Sequence, residues 1–266
     1  MPIVKPCNEK NAIKIAVFAF EFSEPVNKSI IESAIFLYDS DRDLSKELPS
    51  KKLRQTLTIQ IGGSQPPSPE DISGVLFSSV KPNGDVHWAV ELRNESLMIT
   101  CGNYTRWDEV WDRVQNYFRK FSEVLNEQKI SFVTLEYEDE FIVKDDSSEA
   151  WKDALFNKKT KYLPTNGLEL NDFWHSHNGF FQEGTNAKLK ILNLINVDYR
   201  QEQGISKIII QTQHKSFLTD LLSIDEQDTM TKINEIIEEN HTINKNIFLD
   251  LLSKEMCNTI NLKADL

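Results

Sequence analysis

Between Val75 and Leu125 the chain changes once, from three short strand-like runs joined by tight turns to a helical period, and that change limits the fold more than any other feature. Val75 to Val80, Val86 to Arg93 and Glu95 to Cys101 read as three consecutive strands. The turns between them are too short for crossover connections, so the three must form an antiparallel meander. The first turn, Pro82-Asn83-Gly84-Asp85, carries an Asn-Gly pair suited to a hairpin with positive φ. From Thr105 the pattern is helical. Trp107, Val110, Trp111, Val114, Tyr117, Phe118, Phe121, Val124 and Leu125 follow i, i+3, i+4 steps along one stripe. Thr105 and Asp108 stand at capping-box spacing, with Asp in place of the better Glu. A helix with two tryptophans on its buried stripe needs a large apolar surface beneath it, and the sheet is the one at hand. The stripe is therefore read as core, not as a stacking site.

Ile13 to Phe22 is a nearly continuous apolar run, expected as a strand buried on both faces. Val26 to Tyr38 reads as a helix leading into a charged loop through Asp43, and Leu53 to Ile61 as a second strand. The run Gly62-Gly63-Ser64-Gln65-Pro66-Pro67-Ser68-Pro69 predicts a long surface loop. Ile130 to Val143 returns as a strand, after which the polar run 144–149 marks a boundary. Beyond it come a short helix around Trp151 to Phe156, a loop through Pro164 and Gly167, and strands Leu170 to Phe181, Lys188 to Arg200 and Ile205 to Phe217. Gly184 and Gly204 mark their turns. A long helix from Thr229 to Met256 closes the chain, with Ile233, Ile236, Ile237, Ile243, Ile247, Phe248, Leu251, Leu252 and Met256 on its stripe. With no alternating βαβ units, the pattern is α+β: antiparallel sheets, each covered by a long helix, in two sequential halves, 1–144 and 150–266. The length allows these halves to be one compact domain or two.

Asp and Glu number 41 against 30 Lys and Arg, a formal net charge of −11. A surface this negative repels phosphate backbones, so free nucleic acid and anionic membranes are not expected as direct ligands. The N-terminal residues lack the basic-then-apolar order of a signal peptide, and no run approaches the roughly 18 apolar residues of a membrane span. A cytoplasmic location is the expectation. Cys7, Cys101 and Cys257 lie far apart without a paired spacing, which suits a reducing compartment and three small buried hydrophobes. There is no GxGxxG, GxxxxGK[ST], GxSxG, HExxH or EF-hand spacing. No cofactor is expected.

Three polar groupings are candidate sites. Glu136, Glu138 and Glu140 alternate onto one face of a strand and lead to Asp145 and Asp146. They make either a solvated acidic face or a docking surface for a basic protein partner. Lys158, Lys159 and Lys161, flanked by Phe156 and Tyr162, form the one local basic patch, a solvated loop or a weak phosphate site. In a strand, His175 and His177 would project from one face roughly 7 Å apart. That spacing lets two imidazoles converge on a divalent metal, with Asp172 and Glu183 as carboxylate candidates; the plainer reading is two surface histidines.

The segments WAVELRNESLMITCGNYTRWDEVWDRV, ISFVTLEYEDEFIV and ENHTINKNIFLDLLSKEM, with the N-terminal apolar strand, give the chain a familiar order. It resembles a sporadically distributed family of uncharacterised bacterial proteins of about this length. Members lead a strand pair through an aromatic, here Tyr104, into a helix with an aromatic near its start, here Trp107, and carry a His then a Phe on the last helix, here His241 and Phe248. Where members show an Arg-Tyr pair on the strand after the first long helix, this chain has Glu136-Tyr137. Sporadic distribution implies mobile-element cargo, and so a role in anti-phage defence or a toxin–antitoxin pair. The missing catalytic motifs and the acidic excess favour a non-enzymatic binding or regulatory protein acting on a protein partner. A metal-dependent hydrolase or nuclease using His175 and His177, and a small-ligand carrier closed by the last helix, are the alternatives. The oligomeric state is left open.

Overall fold

The computed structural model describes residues 3–8, 11–56, 71–145, 149–170, 172–185 and 189–263. The chain opens with β1 (Val4–Pro6) and β2 (Ile13–Phe22). β2 has the bounds its apolar run predicts but is not buried on both faces: Ala16, Phe18, Phe20 and Phe22 are buried on one face, whereas on the other Ile13, Ile15 and Val17 are half-buried and only Ala19 is buried. α1 (Lys28–Ser40) starts at Asn27, whose side-chain oxygen accepts the Ile30 N–H at 3.0 Å. The charged loop expected after it is instead a second helix, α2 (Arg42–Glu47). Asp41 ends the first helix and caps the second, its Oδ1 accepting from the N–H groups of Asp43 and Leu44. β3 (Ser50–Thr56) begins three residues before the expected strand; the rest of that strand and the Gly-Pro loop, residues 57–70, lie outside the described residues.

The meander forms as β4 (Asp71–Val80), β5 (Val86–Arg93) and β6 (Ser96–Cys101), with Trp88 opposite both Ser79 and Cys101. Gly84, at φ +88°, supplies the left-handed position of the hairpin turn. α3 (Trp107–Ser122) buries Val110, Trp111, Val114, Tyr117, Phe118 and Phe121, but its capping box does not form. The N-cap residue is Arg106, so Asp108 is only the second helical residue, and the Thr105 hydroxyl donates to Glu109 at 2.8 Å. β7 (Lys129–Val143) and α4 (Ala150–Leu155) follow as expected. The loop through Pro164 contains the short α5 (Thr165–Glu169). The three later strands are β8 (Trp174–Glu183), β9 (Leu189–Glu202) and β10 (Ile205–Ser223), the last two joined by Gln203 and Gly204 at φ +53° and +78°. The single closing helix is two. α6 (Thr229–Leu251) stops before Ser253, whose extended backbone breaks the helix while its hydroxyl accepts the Met256 N–H and starts α7 (Lys254–Thr259).

The chain is thus mixed α+β, with a large open antiparallel sheet. Its contacts separate two compact units. One comprises Met1–Ala16, Val133–Thr219 and Thr231–Leu266; the other Val17–Phe132 and Asp220–Met230. Residues 1–16 and 133–144 therefore share a unit with 150–219, although they stand before the polar run in sequence. In that first unit β7, β10, β9 and β8 are neighbours in order, and β1 pairs with β7, Val4 opposite Val143. Its core joins Phe141, Trp151, Trp174 and Tyr199 to Ile243, Ile247, Phe248 and Leu251 of α6. In the second unit β3, β4, β5, β6 and β2 are neighbours in order. α3 meets these strands through rings: Phe18 stacks on Trp111 at 5.6 Å, Phe20 meets Phe118 edge-on at 4.7 Å, and Trp88 meets Tyr117 at 5.9 Å.

Candidate functional site

Alternation along β7 sends Val133, Leu135, Tyr137, Asp139 and Phe141 to its buried face and Glu136, Glu138 and Glu140 to the opposite, outer face. The glutamates do not face one another alone. Gln213 of β10 donates to Glu136, and Gln211 donates to Glu138 at 3.0 Å. Lys14 reaches Glu138 at 3.6 Å and Glu140 at 3.1 Å, while Lys207 reaches Glu140 at 3.3 Å. Glu140 is only 6% exposed, a degree of burial that an unpaired carboxylate does not tolerate. Burial works against the Lys14 charge, but Glu140 and then Glu138 outweigh it and hold its pKa above the ordinary value. Asp145 stands exposed beyond β7; Asp146 lies outside the described residues.

The same outer face continues across β10, β9 and β8. Register puts His175 opposite Asp198, His177 opposite Asn196, Gly179 opposite Leu194, Phe181 opposite Leu192 and Glu183 opposite Lys190. On the other side of β9, Asn196 faces Gln211, Leu194 faces Gln213, Leu192 faces Lys215 and Lys190 faces Phe217. A polar row therefore passes through His177, Asn196, Gln211 and Glu138. Beside it lies an apolar patch. Phe181 is 55% exposed, Leu192, Leu194 and Phe217 are half-buried, and the two phenyl rings stand 5.9 Å apart. Lys190 sits 4.9 Å from the Phe181 ring centre, a cation over an aromatic face.

His175 and His177 share this face, both exposed, with ring centres 5.2 Å apart. His177 Nδ1 lies 2.7 Å from the Asn196 side-chain oxygen. Asp172 accepts the Phe173 N–H, and Glu183 stands opposite Lys190. Among the described residues no set of three or more His, Cys, Asp or Glu side chains is placed to hold a metal. The basic patch is tied locally. Lys158 pairs with Asp153 at 2.8 Å, Lys161 lies over the Tyr162 ring at 5.0 Å, and Asp250 of α6 accepts from the Thr160 hydroxyl and the Lys161 N–H. Lys159 is exposed.

Alternation did carry a signal that an apolar reading of β10 passes over. Thr212, His214 and Ser216 occupy the same face as Ile208 and Ile210, and all are buried. His214 Nδ1 lies 2.7 Å from Asn193 Oδ1, and its Nε2 lies 3.1 Å from Asn244 Oδ1 on α6. Asn193 donates to Gln182 at 3.1 Å, Thr212 to Asn244 at 2.8 Å and Ser216 to Asn240 at 3.0 Å. Burial pulls the imidazole down to about 4, so it is neutral near pH 7 and has one N–H to give. One flanking amide must then turn its NH₂ toward the ring. Asp139, 3% exposed, is pushed up to about 8 by burial and then by Glu138, and its Oδ2 has no hydrogen-bond partner among the described residues. Cys101 and Cys257 are buried as expected, whereas Cys7 is only half-buried; burial raises the thiols of Cys7 and Cys101 to about 11. The α6 residues a carrier would turn toward a ligand, Ile247 and Leu251, belong to the packed core.

Among the described residues no helix is long and apolar enough to cross a membrane. Set against models of protein families and against curated proteins, the chain matches none.

Proposed function

We propose that this chain is a cytoplasmic binding or regulatory protein that acts without catalysis on a protein partner, in anti-phage defence or a toxin–antitoxin pair. The observation that supports the reading is the outer face of β8, β9 and β10, where Phe181, 55% exposed, and the half-buried Leu192, Leu194 and Phe217 adjoin the Glu136 and Glu138 carboxylates. An exposed apolar patch bordered by polar rows is the surface a protein partner can dehydrate, whereas carboxylates alone would mainly steer its approach. The partner that fits presents an apolar centre and basic flanks, because Glu136 is held by the neutral Gln213 amide and can accept a cation, while Glu138 shares the Gln211 amide with Lys14. In this reading α6 backs the inner face of β8, β9 and β10 and leaves their outer face for the partner. The metal reading has less support: two exposed rings and no third ligand among the described residues.

Quantitative pull-down from the native host tests this, comparing wild type with Leu194→Asp and with Glu136→Lys paired with Glu138→Lys. One protein should be recovered near stoichiometry by wild type, lost with Leu194→Asp, and weakened by the charge reversals in a salt-dependent way. Recovery of no partner, together with turnover of a substrate by the purified chain, would overturn the reading.

A further inference from the structure

β8 is the last strand of its unit, and β9 is its only pairing partner among the described residues. Their ladder runs without a register shift from Trp174 opposite Tyr199 to Glu183 opposite Lys190. One step beyond, the Gly184 N–H donates to the Leu189 carbonyl at 2.9 Å. In an antiparallel ladder, pairs that exchange both backbone bonds alternate with pairs that exchange none. Gly184 and Leu189 are of the first kind, so the even-numbered residues of β8 bond to β9. The N–H and C=O groups of His175, His177, Gly179, Phe181 and Glu183 consequently point to the free edge. Three of the devices that usually close an edge are missing from it: β8 contains no Lys or Arg, no Pro and no bulge.

We propose that this edge pairs with the same edge of a second copy of the chain, antiparallel, about a two-fold axis through Gly179. Residues that oppose each other across such an axis must point to the same face, so odd-numbered residues meet odd-numbered ones. Centred on Gly179, His175 meets Glu183, His177 meets Phe181, Gly179 meets Gly179, and the first two pairings recur with the copies exchanged. All five pairings join residues whose backbone groups face outward, so each can exchange two bonds. Moving the axis to Asn178 or Phe180 leaves only four. The favoured register also sets an imidazole donor against a carboxylate twice and a histidine ring against a phenyl ring twice, pairings that stabilise adjacent strands. The surface is thus complementary to itself, as a two-fold interface must be. This goes beyond the partner proposed for the outer face, since it uses the backbone of the strand edge.

Light scattering on the full chain, over a range of concentrations, should show a dimer. Mixing the His177→Cys chain with the Phe181→Cys chain should give a disulfide-linked dimer on mild oxidation, while either chain alone gives little. His177→Lys combined with Phe181→Lys should weaken association by roughly tenfold or more, because each lysine then meets another across the edge. Gly179 is left unchanged in these variants, since a Cβ there would come 2.9 Å from Leu194 Cδ2. A monomer at every concentration, equal cross-linking by either cysteine variant alone, or a dimer indifferent to the lysine pair would each overturn the proposal. The cross-link needs no disruptive variant, so a lysine pair that fails to fold still leaves a decisive result.

Discussion

Among the described residues β3 and β8 each end the strand order of their unit, and the two are built in opposite ways. β3, Ser50–Thr56, carries Lys51, Lys52 and Arg54, and its register with β4 shifts between Arg54 and Gln55. Its cations are held by carboxylates: Lys51 by Asp39 at 2.6 Å and Arg54 by the buried Glu91 of β5 at 2.7 Å. β8 has a straight register and no cation, and what holds it lies inward. Trp174 is buried, and Gln182 accepts from Asn193, which in turn meets His214. An edge guarded by charge and a bulge refuses another strand; an edge anchored only from within remains able to accept one. The difference says that resistance to strand addition and attachment to the core are separate properties of an edge, supplied by different residues.

If the anchorage of β8 is inward, breaking it should be the most damaging change. His214→Leu removes a fully buried ring and leaves polar atoms of Asn193 and Asn244 unpaired, at an expected cost of about 2–4 kcal/mol in denaturant unfolding. A smaller cost than that of the Arg54 substitution below would collapse the contrast. Acid offers a second readout. The native state holds His214 neutral with its pKa near 4, below the ordinary value of about 6.5, so the unfolded chain takes up its proton first. Its contribution is complete above about pH 6.5 and is lost as pH falls toward 4, by roughly 3 kcal/mol. Asp139 titrates with the opposite slope, because its pKa is raised to about 8, so stability attributable to it declines as pH rises from about 4. The His214 effect must therefore be taken as the difference between wild type and variant across the same pH range; a constant difference would refute it.

The charged anchorage of β3 should break more cheaply. Glu91 is 8% exposed; burial pushes its carboxyl up, but hydrogen bonds from Arg93 and Arg54 outweigh this and hold it below the usual carboxylate range. Arg54→Leu leaves Arg93 in place at 2.8 Å, so a loss of about 1–3 kcal/mol is expected. A lowered folded pKa means the stabilisation is present above the unfolded value of about 4.3 and disappears as pH falls further. The gap between wild type and Arg54→Leu should narrow in acid, and thermal melts at neutral pH and near pH 3 would show whether it does.

Legibility in the sequence followed the same division between strong periodicity and particular side chains. β2, β5 and α3 emerge close to their expected bounds because each is a long run with one period. The second helix after α1 escaped because Arg42–Glu47 is short and polar, and what makes it a helix is a single carboxylate, Asp41, reaching two N–H groups. The break before α7 escaped because the apolar stripe continues through Leu252 and Met256, while a hydroxyl at Ser253 decides where the backbone turns. Of the candidate site, the shared face of Glu136, Glu138 and Glu140 could be read from alternation, but Lys14 and Lys207 come from strands distant in sequence. The Gln182, Asn193, His214 and Asn244 layer draws on three strands and a helix, and no local pattern reports such a meeting.

The smallest expected change in stability bears most directly on the comparison. Lys51 and Lys52 are exposed, and the Lys51–Asp39 pair, however short at 2.6 Å, is a surface ion pair whose worth is limited by solvent screening and side-chain entropy. Lys51→Thr with Lys52→Thr should therefore move the unfolding free energy by less than about 1 kcal/mol. Threonine suits a strand as well as lysine does or better, so the backbone of β3 has no reason to rearrange. What the substitution removes is the charge that keeps a second strand away. Light scattering should then detect new self-association by the variant, and placing His177→Lys and Phe181→Lys in the same chain should suppress pairing at β8 while leaving that at β3. If the double threonine variant associates no more than wild type, Arg54 and the bulge after it suffice to close the edge, and the lysines of β3 serve solubility instead.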